Sequence, residues 1–273
     1  MTEPGTSRKA PRKPPHGALT SPGSRAEERD VEILAHRGAS ADAPENTLAA
    51  FREAVSQRAD GVELDVRLCG SGEVVVCHDP TLERLAGVPW EIRSSTWRRL
   101  RRADVGTRLG FAAERIPLLE EVLALLPPEM LLNVELKCET ADDGGLVART
   151  LEVIRSAGAE GRILISSFNA LCLIRLATLA PEVRRGYLVD PSKRFLIHGA
   201  LLPPMVSNFS VHPQHSEATA ARVWRWKEGR YRVAAWTVDE PDEARRMEEL
   251  GVDYLITNRP EEMRQALRSR GRP

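Results

Sequence analysis

The sequence predicts an α/β protein folded as a closed (β/α)8 barrel, and three observations point there. From Val31 onward, short apolar runs alternate with stretches of helical spacing, the pattern of a parallel sheet wrapped by helices. Eight such strand–helix units fit into the roughly 240 residues that follow, close to the usual size of this architecture. The first turn, HRGASADAPENT, lacks the GxGxxG phosphate loop that the runner-up, an open doubly wound sheet, would bring.

Each element has its own signal. VEILAHRG (31–38) is a short apolar strand ending at a glycine. In PENTLAAFREAVSQ (44–57), Asn46 or Thr47 can cap a helix that places Leu48, Phe51, Ala54 and Val55 on one face. GVELDVRL (61–68) alternates in period two, and a Gly-Ser-Gly turn leads into EVVVCHDP, an accessory strand ending at His78 and Asp79. Residues 80–116 have no strong period and read as a small insertion after the second barrel strand, with one short helix near 95–101. RIPLLEEVLALLP is helical. Strands are then expected at 131–137, 162–167, 184–189, 204–209, 231–237 and 253–257, and helices at 143–157, 169–180, 216–228, 240–250 and 260–269. Residues 192–200 carry no clear pattern.

The 273 residues are 42% hydrophobic, enough for one large core. Lys+Arg and Asp+Glu both number 39, so the net charge gives no support for a nucleic-acid partner. The cluster Arg98, Arg99, Arg101 and Arg102 reads as a solvated helix face. Four cysteines without a CxxC pair read as reduced thiols, a Cys69–Cys77 bridge being the lesser alternative. No apolar run reaches the ~18 residues of a membrane span. Residues 1–30, rich in Pro, Ser, Gly, Arg and Lys with no apolar stretch, are expected to be a disordered tail and not a secretory signal. The domain is therefore placed at 31–273, in a cytoplasmic protein with no integral membrane segment.

The barrel gives the charged residues a meaning. With Val62, Leu64 and Val66 facing the helices, Glu63 and Asp65 face the lumen near the C-terminal rim, where barrel active sites lie. NVELK repeats the arrangement, with Asn133, Glu135 and Lys137 inward. Three converging carboxylates cost several kcal/mol each to desolvate unless compensated. Two readings stand at this point: a hard cation, Ca²⁺ or Mg²⁺, held by Glu63, Asp65 and Glu135, or internal salt bridges to Lys137 and Arg37. His36 and His78 each end a strand, beside Arg37 and Asp79. As general base and general acid next to a cation, with Arg37 and Lys137 on phosphate oxygens, they suit phosphodiester hydrolysis. His212, after the sixth strand, is either at the mouth or in the core, and Asp79 either holds its loop or orients His78.

The block AHRGASADAPENTLAAFREAVSQRADGVELDVRLCGSGEVVVCHDPTLERL resembles the bacterial glycerophosphodiester phosphodiesterase family. The resemblance continues through RIPLLEEVL, LLNVELK, SSF, AAWTVD and GVDYLITNRP, in family order over residues 33–262. It implies a barrel with a small insertion after the second strand, a divalent cation on Glu63, Asp65 and Glu135, and acid–base catalysis by His36 and His78. It further implies substrate contacts from Arg37, Lys137, Glu45 and Trp236, and a small-molecule glycerophosphodiester as substrate. Two alternatives are a lysophospholipase D, with Leu82, Leu85, Val88, Trp90, Trp97 and Phe111 as an apolar lid, and a non-catalytic barrel that binds phosphate metabolites. The sequence departs from the family pattern at Cys69-Gly70-Ser71-Gly72, at Tyr254 and at Asn258 on the rim.

Overall fold

The computed structural model describes residues 30–193 and 196–269. The expected tail at 1–30 lies outside the described residues but for its last residue. Eight parallel strands close on themselves: β1 (Glu32–His36), β2 (Gly61–Leu68), β4 (Leu131–Leu136), β5 (Ile163–Ser167), β6 (Arg184–Leu188), β7 (Ser210–His212), β8 (Arg232–Ala235) and β9 (Tyr254–Thr257). Closure comes from β1, which pairs in parallel with both β2 and β9. The extra strand β3 (Val74–Val76) runs antiparallel on β2. The outer layer is α1 (Leu48–Ser56), α4 (Leu119–Leu125), α5 (Leu146–Ser156), α6 (Ala170–Leu179), α8 (Ala220–Glu228), α9 (Pro241–Glu249) and α10 (Pro260–Arg268). No helix among the described residues is long and apolar enough to cross a membrane, and all four cysteines are free thiols.

The two faces of each strand do different work. Val62, Leu64 and Val66 join Val134, Leu136, Phe51 and Leu119 in the core between strands and helices. Inside the barrel, Leu34, Ala234, Tyr254 and Ile256 form a second small core, which reaches the floor of the cavity at Ile256. The charged residues lie above that apolar floor, at the C-terminal end of the strands. A floor of this kind keeps water from reaching them from below.

One expected strand is displaced. Residues 204–209 are not a strand: Pro203–Val206 form a short helix, α7, and the strand follows at Ser210–His212. Pro203 and Pro204 have no N–H to give a ladder, and their fixed φ suits the first turn of a helix. The pattern of apolar residues alone does not register that constraint.

The insertion is compact. It carries two short helices, α2 (Glu83–Ala86) and α3 (Trp97–Leu100), of which the sequence signalled only the second. Leu82, Leu85, Ile92, Leu100, Val105 and Ile116 form a separate small core with Val75 and Cys77. Trp90, Trp97 and Val88 pack against it, and the Arg99 guanidinium stacks 4.6 Å from the Trp90 ring centroid. An apolar lid from this segment is therefore ruled out for Leu82 and Leu85, whose side chains are consumed by their own core. Because the two cores are separate, Leu100→Ala is expected to act locally, with a cavity cost of about 2–5 kcal/mol. Hydrogen exchange should quicken over residues 81–105 while strands β1, β2 and β4 keep their protection; equal loss of protection in the barrel would contradict this.

Candidate active site

The site is built from the turn that follows β1. Arg37 and Gly38 both have positive φ, 59° and 81°. A Cβ on Gly38 would lie 2.6 Å from the Ala50 carbonyl carbon, so α1 packs directly on the turn and only glycine fits. The turn is pinned by main-chain bonds from Arg37 N to Glu63 O (2.8 Å) and from Asn46 N to Arg37 O (2.9 Å). Thr47 caps α1, accepting from Ala50 N, and this leaves Asn46 free to reach inward. Its Nδ2 donates to Asp65 Oδ2 at 2.8 Å.

Strand register sets the carboxylates. Asp65 pairs with Glu135 across β2 and β4, and His36 pairs with Glu63 across β1 and β2. Glu63, Asp65 and Glu135 are all buried, and each offers an oxygen within 4.8 Å of the other two. The salt bridges weighed from sequence do form: Lys137 Nζ lies 2.6 Å from Glu135 Oε1 and 2.9 Å from Asp65 Oδ1, and Arg37 Nε lies 3.2 Å from Asp65 Oδ2. They do not balance the cluster. Burial raises the Asp65 carboxyl, but Lys137 and Arg37 outweigh it and hold that group below the usual range. Burial pushes Glu135 up to about 7 despite Lys137. Among the described residues Glu63 meets only the Arg37 N–H at 3.2 Å and His36 Nε2 at 3.9 Å, and burial together with Asp65 and Glu135 drives it well above the usual range. An oxygen-only cluster with this charge deficit fits a divalent cation.

The two histidines flank the cluster with unlike partners. His36 Nδ1 lies 2.7 Å from Asn258 Oδ1, and burial and the Arg37 charge push the ring down to about 4. His78 is carried in by β3, beside β2, through the Cys77 N to Asp65 O bond (2.9 Å). Its Nδ1 lies 2.7 Å from Asp79 Oδ1, so Asp79 orients the ring, and burial lowers its pKa against the pull of Asp65 and Asp79. Arg84 then ties the two sides of the mouth together, donating to Asp79 Oδ2 (2.6 Å) and to both Glu45 oxygens (2.8 Å each). Glu45 in turn accepts from Arg37 at 2.8 Å. Glu45 thus stands behind Arg37 and does not line the cavity.

That cavity measures about 80 Å³ and is lined by His36, Arg37, Glu63, His78, Glu135, Lys137 and Trp236, with Asn133, Phe168, Leu188 and Ile256 completing it. Trp236 meets Phe168 edge to face, with ring centroids 5.7 Å apart, and donates from Nε1 to His212 O at 2.9 Å. His212 is in the core: its ring is buried, bonded to Ser210 Oγ at 2.7 Å and held by burial at about 3. Gly186 makes the room, since a Cβ there would sit 2.5 Å from His212 Nε2. Sequence reading assigned no role to Arg84, Asp239 or Ser40, although each stands inside a stretch quoted for the family resemblance; membership of the stretch was the available signal, and the partner across the fold was not.

Residues 36–262 match the family model described as the glycerophosphoryl diester phosphodiesterase family. The chain belongs to this family. Its members act on phosphodiesters, so the chain is an enzyme of the phosphoric diester hydrolase class. It is 34% identical to a glycerophosphodiester phosphodiesterase of Caldanaerobacter subterraneus subsp. tengcongensis over 242 residues, 88% of this chain and 98% of that protein. A glycerophosphodiester phosphodiesterase of Bacillus altitudinis is 30% identical, over 85% of this chain and 96% of its own. Among solved structures, an Oleispira antarctica phosphodiesterase in complex with the product sn-glycerol-3-phosphate is 31% identical, with a TM-score of 0.77 over 87% of this chain and 96% of that one. The Thermotoga maritima glycerophosphodiester phosphodiesterase is 27% identical, with a TM-score of 0.70 over 87% and 98%.

The carboxylates make stability depend on pH in a stated direction. Glu135 binds its proton more tightly folded (about 7) than unfolded (about 4.5), so the folded state holds more protons between those values. The contribution of Glu135 to stability without a cation therefore falls as pH rises from 4.5 to 7, and Glu63 acts in the same sense, while His36 and His212, whose rings burial holds low, act in the opposite sense over the same window; the Glu135 part is read as the difference between the native protein and Glu135→Gln. A bound cation requires the ionised carboxylates, so the gain in melting temperature on adding Ca²⁺ or Mg²⁺ should grow across the same window. Thermal unfolding with chelator and with cation, at intervals across that window, reads both trends; Asp65→Asn should remove the gain.

Proposed function

We propose that the enzyme hydrolyses glycerophosphodiesters to sn-glycerol 3-phosphate and an alcohol. The observation that carries this reading is the convergence of His36, His78, Arg37, Lys137, Glu63 and Glu135 on one small cavity, with Asp65 buried beside the two glutamates. The likeness to the product-bound phosphodiesterase supports the same substrate class. Glu63, Asp65 and Glu135 would hold one divalent cation, Ca²⁺ or Mg²⁺. When bound, that cation supplies Lewis-acid polarisation of the phosphoryl group.

The chain's own residues do the rest. Arg37 is aimed by Glu45 and Asp65 and stabilises charge growing on the phosphoryl oxygens. Lys137 neutralises the same side of the cavity. His36, whose Nδ1 meets a neutral carboxamide, is kept as the uncharged ring that accepts the proton of the attacking hydroxyl, from water or from the glycerol 2-position. His78, whose Nδ1 meets the Asp79 carboxylate, holds a proton more readily than the more deeply buried His36 and donates it to the departing alkoxide. With water as nucleophile one P–O bond forms and one breaks, and the proton taken by His36 balances the one given by His78; with the glycerol 2-hydroxyl the same exchange leaves a cyclic phosphate, which water opens in a second step with the two histidines in exchanged roles. Trp236 and Phe168 form an apolar wall against which the glycerol carbons pack. The four free cysteines support a cytoplasmic location.

A second reading, lysophospholipase D, is favoured by one observation. Phe168 lines the cavity and is itself exposed, and α6, the helix that follows it, exposes Leu171 and Ile174. The test is turnover of glycerophosphocholine beside lysophosphatidylcholine, with and without chelator. Glycerol 3-phosphate from the first, lost with chelator, is expected. His36→Ala and His78→Ala should each lower kcat by about 10²–10⁴-fold. Turnover confined to the lipid would favour the second reading.

A further inference from the structure

We propose that Asn258, clamped by Asp239, is a positioning residue that locks His36 in the tautomer with the proton on Nδ1. The inference rests on the functional reading above only for its consequence, that Nε2 is then the free proton acceptor.

The argument is one of donors and acceptors. Asp239 follows β8 and Asn258 follows β9, so neighbouring barrel strands bring them together. Asp239 Oδ1 accepts from Asn258 N (2.8 Å) and from Thr257 Oγ1 (3.0 Å), which fixes the carboxylate in place. Its other oxygen, Oδ2, lies 2.5 Å from Asn258 Nδ2. An ionised carboxylate only accepts, so the carboxamide must turn its NH₂ toward Asp239 and its oxygen toward His36. That oxygen, Oδ1, lies 2.7 Å from His36 Nδ1. An amide oxygen only accepts, so Nδ1 carries the hydrogen and the neutral ring keeps its lone pair on Nε2. Nε2 is the nitrogen that faces Glu63, at 3.9 Å, and the cavity. Ser40 completes the clamp: its Oγ lies 2.7 Å from Asn258 Oδ1 and 2.8 Å from His36 O, and its single proton serves one of these acceptors at a time. The opposite amide orientation would set two oxygens against each other at the Asp239 contact. One carboxylate, two residues from the histidine in the hydrogen-bond chain, thus dictates which ring nitrogen is bare.

This makes a specific exchange informative. Asp239→Asn puts an NH₂ opposite the Asn258 NH₂, so the Asn258 amide should turn over and force His36 into the Nε2-protonated form. The exchanged pair Asp239→Asn/Asn258→Asp restores an acceptor facing Nδ1. The experiment is ¹⁵N NMR of the full chain with labelled histidine, His36 being assigned by its loss in His36→Gln. Native protein should show a pyrrole-like Nδ1 and a pyridine-like Nε2. Asp239→Asn should invert these and lower kcat by about ten- to a hundredfold with KM within about twofold, and the exchanged pair should recover both readouts. If Asp239→Asn does not fold, Asn258→Leu, which deletes the acceptor, should give mixed tautomers instead. A native Nε2–H tautomer, or folded variants in which the tautomer does not change, overturns the proposal. The tautomer is read without substrate, so it stands or falls separately from the activity on glycerophosphodiesters.

Discussion

Three carboxylates confined within 4.8 Å inside a protein repel one another, and most of the features around the barrel mouth answer that repulsion. Lys137 bridges two of them from the strand that supplies Glu135. Arg37 reaches a third contact only because its backbone adopts a left-handed conformation that swings the side chain over Asp65. Asn46, also left-handed, gives the same Asp65 oxygen, Oδ2, a second donor. What remains uncompensated is Glu63, and the raised proton affinity of Glu63 and Glu135 is the measure of the missing positive charge. Such a cluster is tolerable in the ion-free protein because it can take up protons, and productive once a divalent cation replaces them.

The cations that serve the cluster are themselves held by a second row of acids. Glu45 and Asp79 accept from Arg84, which comes from the insertion and has no role in the barrel. The insertion therefore does more than cover the second strand. Its separate core fixes α2, α2 carries Arg84, and Arg84 joins the Arg37 side of the mouth to the His78 side. Opposite this polar half, the wall of Trp236 and Phe168 continues into exposed apolar side chains on α6. The mouth is thus polarised, with anion-binding chemistry on one side and apolar surface on the other. That asymmetry matches a substrate with a charged phosphodiester and a less polar remainder.

The family's similarity extends across residues 36–262, a span that holds every residue lining the cavity. One departure from the family pattern is second in line to the chemistry: Asn258, expected at the rim, stands at the back of His36.

The sequence by itself determined the barrel, the inward placement of Glu63, Asp65 and Glu135, and the strand-end positions of His36 and His78. Period-two alternation and the order of strands and helices are local properties, and in a closed barrel they dictate which residues face inward and at which end. The displaced seventh strand shows the limit of that logic, because Pro203 and Pro204 override apolar pattern through missing N–H groups. Only the tertiary structure decided the partners that lie far apart in the chain: Asn258 and Asp239 with His36, Arg84 with Glu45, and Gly186 with His212. Those pairings depend on barrel closure between β1 and β9 and on the fold of the insertion. Neither leaves a mark at any fixed spacing in the sequence, since a hydrogen bond across 222 residues is set by register and not by neighbours.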